Sequence, residues 1–121
     1  MRARVLLVED EVLVADLVDE ALRDEGLDVV VAHSGVEALS RLAGESRTFA
    51  ALVTDINLGD HVDGFEVARE ARALHPGVKV IYVTGKPSNI YAAEDEALMF
   101  PKPFNVVELA DQVRLLVNGD G

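Results

Sequence analysis

Apolar residues fall along this chain in two alternating rhythms. Val5-Leu6-Leu7-Val8 is an uninterrupted apolar run, the pattern of a strand covered on both faces. Val14, Leu17, Val18, Ala21 and Leu22 then recur at helical spacing, with Asp19, Glu20, Arg23 and Asp24 on the other side and Gly26 as the stop. Val29–Ala32 predicts a second strand. Ser34-x-x-Glu37 has the form of a capping box and opens a helix running to about Ala43. Phe49–Thr54 predicts a third strand that ends at Asp55, followed by a polar, glycine-containing loop from Asn57 to Gly64. Helical spacing resumes through Val67, Ala68, Ala71 and Leu74, and His75-Pro76-Gly77 ends it. Val78–Val83 predicts a fourth strand. Residues 86–97 are weakly patterned. Leu98–Phe100 predicts a short fifth strand, and the last helix carries Val106, Leu109, Ala110, Val113, Leu116 and Val117. Fivefold strand–helix alternation predicts an α/β fold, with a parallel sheet, helices on both faces and right-handed crossovers.

Composition narrows this picture. A length of 121 residues suits one compact domain spanning 1–121. Half of the residues are hydrophobic but only 5% are aromatic, so the core is expected to be aliphatic. With no cysteine, disulfides and thiolate metal sites are excluded. The apolar runs are too short to span a bilayer. Met1-Arg2-Ala3-Arg4, followed by four apolar residues before Glu9, does not form a signal peptide, and a cytoplasmic protein is expected. The net charge of −11 repels nucleic acid phosphates and anionic membranes, so neither DNA nor a membrane is an expected partner. Solubility accounts for most of the 22 acidic residues, but not for a few that sit at strand ends.

In an open α/β sheet, ligands bind beyond the carboxyl ends of the strands. Here the first strand runs into Glu9-Asp10, the third into Asp55, the fourth into Thr84-Gly85 and the fifth into Lys102-Pro103. Three converging carboxylates repel one another, and a hard divalent cation such as Mg²⁺ relieves that repulsion while keeping water positions for phosphate oxygens. A carboxylate beside such a cation can attack phosphorus and form an acyl phosphate. An ammonium at Lys102 neutralises charge on the transferring group, and the Thr84 hydroxyl can donate to a phosphoryl oxygen. Taken singly, each has a plainer reading. Asp55 is a turn residue, Glu9-Asp10 a helix cap, Thr84-Gly85 an ordinary turn and Lys102 a solvated lysine. Together, each at its own strand end, they favour one phosphoryl-handling site.

The chain resembles the receiver domains of two-component response regulators, from about Arg4 to Val117. The resemblance is carried by Val5-Leu6-Leu7-Val8-Glu9-Asp10-Glu11, Leu52-Val53-Thr54-Asp55-Ile56-Asn57-Leu58, Asp63-Gly64-Phe65-Glu66, Val83-Thr84-Gly85 and Lys102-Pro103-Phe104. It implies a flavodoxin-like (βα)5 fold, a doubly wound five-stranded parallel sheet in the order 2-1-3-4-5. It makes Asp55 the phosphoacceptor and Glu9 and Asp10 the acidic pair that holds Mg²⁺, with the Asn57 backbone carbonyl as a further ligand. Thr84 and Lys102 become the switch hydroxyl and the lysine of the site. It also implies a cis peptide before Pro103, which would aim Lys102 into the pocket. The implied donors are histidine kinases or histidine phosphotransfer proteins, docking on the first helix and the loop after Lys102. The expected state is a monomer or weak dimer, and the domain turns over no separate substrate.

The chain departs from the family pattern in several places. Met99 stands three residues before the lysine, where an aromatic switch is usual, and Phe100 should face the other side of its strand. Gly59 stands where Pro often follows the acceptor, in a loop one residue longer than usual. The stretch from Thr84 to Lys102 is short, so the fourth helix is expected to be short, displaced or replaced by a loop. These features resemble atypical single-domain receivers with Thr-Gly after the fourth strand, which act in stress or cell-cycle phosphorelays. Asn57 and Lys86 flank the phosphoryl position, and His61 is expected at the surface rather than on a metal. Two other readings remain. One is a small Mg²⁺-dependent phosphohydrolase with an aspartyl nucleophile, against which stands Asn57 where a second Asp would serve as acid/base. The other is a receiver-like interaction module that never accepts phosphate, against which stands the intact set Glu9, Asp10, Asp55, Thr84 and Lys102.

Overall fold

The computed structural model describes residues 2–44, 47–85 and 98–118. Its elements run β1 (Arg4–Val8), α1 (Val12–Asp24), β2 (Asp28–Ala32), α2 (Gly35–Gly44), β3 (Ala51–Asp55), α3 (Gly64–Leu74), β4 (Lys79–Thr84), β5 (Leu98–Pro101) and α4 (Val106–Val117). The strands form one sheet in the order β2-β1-β3-β4-β5, every pair parallel. This is the expected doubly wound sheet with helices on both faces. The expectation of a short or displaced helix falls on residues 86–97, outside the described residues, as does Lys86.

Strand geometry sends alternate side chains to opposite faces, so each apolar run feeds two cores. Leu6, Val8, Leu52, Val80 and Tyr82 pack with Ala38 and Leu42 of α2 and Val67, Ala68 and Ala71 of α3. Val5, Leu7, Ala51, Val53, Ile81 and Val83 pack with Val18 and Leu22 of α1 and Leu109, Ala110 and Val113 of α4. Met99 joins the first core and Phe100 the second, as strand alternation requires. The aliphatic core holds two large aromatics, Tyr82 and Phe49, both fully buried.

The differences from the sequence pattern are local. β3 begins at Ala51, not Phe49, because the Phe49 N–H donates to His75 Nδ1 at 3.1 Å before the ladder starts. Leu17 is 58% exposed and Leu74 46% exposed, so both leave the buried stripe that helical spacing assigns them. The capping box opens α2 with a shifted register. Ser34 Oγ accepts from Glu37 N, but the Glu37 carboxylate accepts from His33 N rather than from Ser34. Among the described residues, no helix is long and apolar enough to cross a membrane.

Candidate functional site

Parallel register aligns the strand ends into one rim. Val8 lies opposite Thr54, Asp55 opposite Val83, and Thr84 opposite Pro101. Each chain reversal at this edge therefore delivers its first polar residue to the same place. Asp55 is the last residue of β3 and Thr84 the last of β4; both are buried. Glu9 follows β1, is also buried, and its N–H donates to Ala32 O at the end of β2. Asp10 is exposed. Carboxylate oxygens of Glu9, Asp10 and Asp55 all lie within 4.8 Å of one another.

Lys102 crosses this cluster from the end of β5. Its Nζ is 2.7 Å from Asp55 Oδ2 and 3.3 Å from Glu9 Oε1. Its backbone N–H donates to Thr84 O at 2.8 Å, which ties the lysine to the end of β4. The Lys102–Pro103 peptide is cis, as the resemblance implies. Two further N–H groups trim the carboxylates: Glu11 N donates to Glu9 Oε2 at 3.0 Å, and Asn57 N approaches Asp55 Oδ1 at 3.4 Å. α1 is capped at Glu11 without a side-chain hydrogen bond, so neither Glu9 nor Asp10 serves as its N-cap.

The loop over the site is shaped by glycines. Gly64 packs against the Asp55 carbonyl so closely that a Cβ there would overlap it, and Gly64 N–H donates to Ile56 O. Gly59 has φ +79°, and a Cβ built on it would sit 3.1 Å from Asp10 Oδ2. Proline, with φ fixed near −65°, cannot take this conformation. That is the physical reason for one of the departures noted in the sequence.

The charges are strained. Burial raises the Glu9 pKa above its ordinary 4.5; the Glu11 N–H opposes the rise and the Asp55 charge adds to it. Burial works against the Lys102 ammonium, yet the hydrogen bonds and charges of Asp55 and Glu9 outweigh it and raise its pKa above 10.5. Raised in the fold, the lysine contributes stability that is complete below pH 10.5 and is lost as pH rises through the folded value. The raised carboxyl acts in the same sense at lower pH: stability falls as pH climbs from 4.5 through the folded value. Three carboxylates against one ammonium leave an excess of negative charge. An all-oxygen donor set of this kind fits a small, hard divalent cation.

The structure thus brings Glu9, Asp10, Asp55 and Lys102 together and sets Thr84 at the same rim. Asn57 and His61 are exposed in the loop after Asp55. Two supporting residues, with three contacts between them, have no counterpart in the sequence reading. His33 Nδ1 is 3.1 Å from the Glu9 carbonyl. Asp60 accepts from Val36 N at 3.1 Å and Val62 N at 3.3 Å, and the Val36 bond is the foremost cause of its lowered pKa. The bond to Val62, two residues on, is a turn signal that Asp in a polar loop could have suggested. The bonds to Glu9 and to α2 join distant segments and leave no local pattern.

Comparison with known proteins places this geometry in a family. Residues 5–114 match the model of the response regulator receiver domain. The chain is 36% identical over 116 residues to the sensor kinase CckA of Brucella abortus, covering 93% of this chain and 12% of that protein. It spans 51% of mycobacterial response regulators that it matches at 32% identity. A response regulator receiver protein of Sinorhizobium medicae superposes with TM-score 0.89 at 28% identity, over 99% of this chain and 98% of that one. The response regulator TrrA of Thermotoga maritima, solved in complex with Mg²⁺–BeF, superposes with TM-score 0.77 at 30% identity, over 94% and 98%. The family-model match, which covers most of the chain, and the shared fold agree: this chain belongs to the response regulator receiver domain family, the phosphoacceptor domains of two-component signalling.

Proposed function

We propose that Asp55 is the phosphoacceptor of this domain and takes its phosphoryl group from a phosphohistidine on a histidine kinase or histidine phosphotransfer protein. The observation that carries this reading is the 2.7 Å contact of Lys102 Nζ with Asp55 Oδ2, inside a cluster of three carboxylates. In the step, an Asp55 carboxylate oxygen attacks phosphorus while the phosphorus–nitrogen bond breaks. The electron pair leaves on the imidazole nitrogen, which takes up a proton from solvent. Lys102 follows the charge from the carboxylate to the phosphoryl oxygens. Thr84 donates its hydroxyl to a phosphoryl oxygen of the product, which signals loading to the rim of β4 and β5. Glu9, Asp10 and Asp55 would hold Mg²⁺, with the Asn57 backbone carbonyl as a further ligand. That cation supplies positive charge against the three carboxylates and the incoming phosphoryl group.

Surface chemistry supports a protein donor. Val12 (56% exposed), Leu13 (80%) and Leu17 project from α1, and Val107 from α4. Beside them a cavity of about 380 Å³ is lined by Glu11, Val14, Leu17, Lys102, Pro103 and Phe104. A partner seated there reaches the rim at Lys102. We further propose that the domain works in the cytoplasm as a monomer or weak dimer, binds neither DNA nor membrane, and turns over no separate substrate.

The test is intact-protein mass spectrometry with an acyl phosphate donor and Mg²⁺. One phosphate should add to the wild type and none to Asp55→Asn. Undiminished labelling of Asp55→Asn would refute the assignment. Rapid turnover of unrelated phosphomonoesters would favour a phosphohydrolase.

A further inference from the structure

We infer that His33 is a positioning residue for the acidic pair: its ring holds the peptide that joins Glu9 to Asp10. The Glu9 carbonyl, which belongs to that peptide, lies 3.1 Å from His33 Nδ1. A carbonyl only accepts, so Nδ1 carries the hydrogen. It does so in the neutral tautomer and in the imidazolium alike, and the contact does not depend on the charge of the ring. The other face of the same residue is fixed from β2, where Glu9 N–H donates to Ala32 O at 3.0 Å. Both ends of the Glu9 main chain are therefore tied to adjacent residues of one segment.

That segment is itself held. His33 N–H donates to Glu37 Oε1 at 2.9 Å, and Ser34 Oγ accepts from Glu37 N at 3.0 Å. The shifted capping box thus has a second effect. By spending the Glu37 carboxylate on His33 instead of Ser34, the start of α2 fixes the backbone that carries the imidazole. The same helix start receives Asp60 through Val36 N, which also ties down the loop that follows Asp55. Asp10 is exposed, so the held peptide before it is what anchors its backbone.

The inference rests on the cation-holding role proposed above for Glu9 and Asp10. Its test is calorimetric titration of Mg²⁺ into wild type, His33→Leu and His33→Asn, without any phosphodonor. The Asn amide places an N–H close to the position of Nδ1, whereas Leu has none. Mg²⁺ should bind His33→Leu about tenfold more weakly, the low end for loss of a group that orients metal ligands. His33→Asn should stay within about twofold of wild type by the same measure. A purely structural role would not separate these two variants. A loss in His33→Leu smaller than about threefold, or an equal loss in both, overturns the inference. Should His33→Leu lose its fold, judged by circular dichroism, His33→Ala takes its place against His33→Asn. Failure of the wild type itself to bind Mg²⁺ would instead overturn the reading of the site, and this inference with it.

Discussion

At the scale of single residues, the site is held by backbone conformation as much as by charge. Gly59 sits at φ +79°, next to Asp10 Oδ2. An alanine there bears the left-handed penalty of roughly 1–2 kcal/mol and presses its methyl group on the carboxylate. Urea denaturation of Gly59→Ala should show a loss of about that size; an unchanged midpoint would mean that the loop rearranges freely. Which residues meet at the rim was also what the sequence disclosed best. Glu9, Asp10, Asp55 and Lys102 could be read because each follows an apolar run, and strand ends gather at one edge of a parallel sheet. His33 could not be read in this way. Its partner is a main-chain oxygen 24 residues away, and any side chain has a backbone somewhere within reach.

At the scale of elements, the same limit shows in His75. The triplet His75-Pro76-Gly77 reads as a helix stop, and His75 is indeed the C-cap of α3. It is also buried, at 4% exposure, and acts as a strut. Its Nδ1 accepts from Phe49 N at 3.1 Å and its Nε2 donates to Leu42 O at 3.1 Å. Its ring tilts against Phe49 with centroids 5.2 Å apart, and Arg4 stacks over the same phenyl ring at 4.7 Å. One imidazole joins the end of α3, the end of α2 and the approach to β3. Replacing it by Leu keeps the bulk but strands two buried backbone groups, at about 1–3 kcal/mol each. His75→Leu should therefore lose about 2–6 kcal/mol in urea denaturation, with acyl phosphate labelling of the folded fraction unchanged, since the strut lies at the opposite end of β3 from Asp55. A loss below about 1 kcal/mol would show that water replaces the imidazole. Element order and the two-faced core were legible because periodicity reports which face is covered, while the sheet order was implied by the family resemblance. The exact start of β3 was not legible, because the bond that delays it comes from His75.

At the scale of the molecule, stability and function oppose each other at the rim. Three carboxylates share one ammonium, and Glu9 is buried enough for its pKa to rise. A ligand that binds only the folded form adds RT ln(1 + [L]/Kd), or about 2.7 kcal/mol at a hundredfold excess over Kd. For a chain of this length that amounts to roughly 10 °C in melting temperature. Thermal melts should show a rise of this order with Mg²⁺ in the wild type and a much smaller one in Asp10→Asn. Equal shifts in both would place the ion elsewhere. The overall acidity, −11 in 121 residues, needs no such site for most of its charges.

The depth of Asp55 has one more consequence. Only 7% of this residue meets solvent, and Lys102 covers one of its carboxylate oxygens. On the proposal that Asp55 accepts the phosphoryl group, this depth makes reach a requirement of the donor: a group carried at the tip of a projecting imidazole, or on a small acyl phosphate, meets it, and one lying flush with a broad protein surface does not.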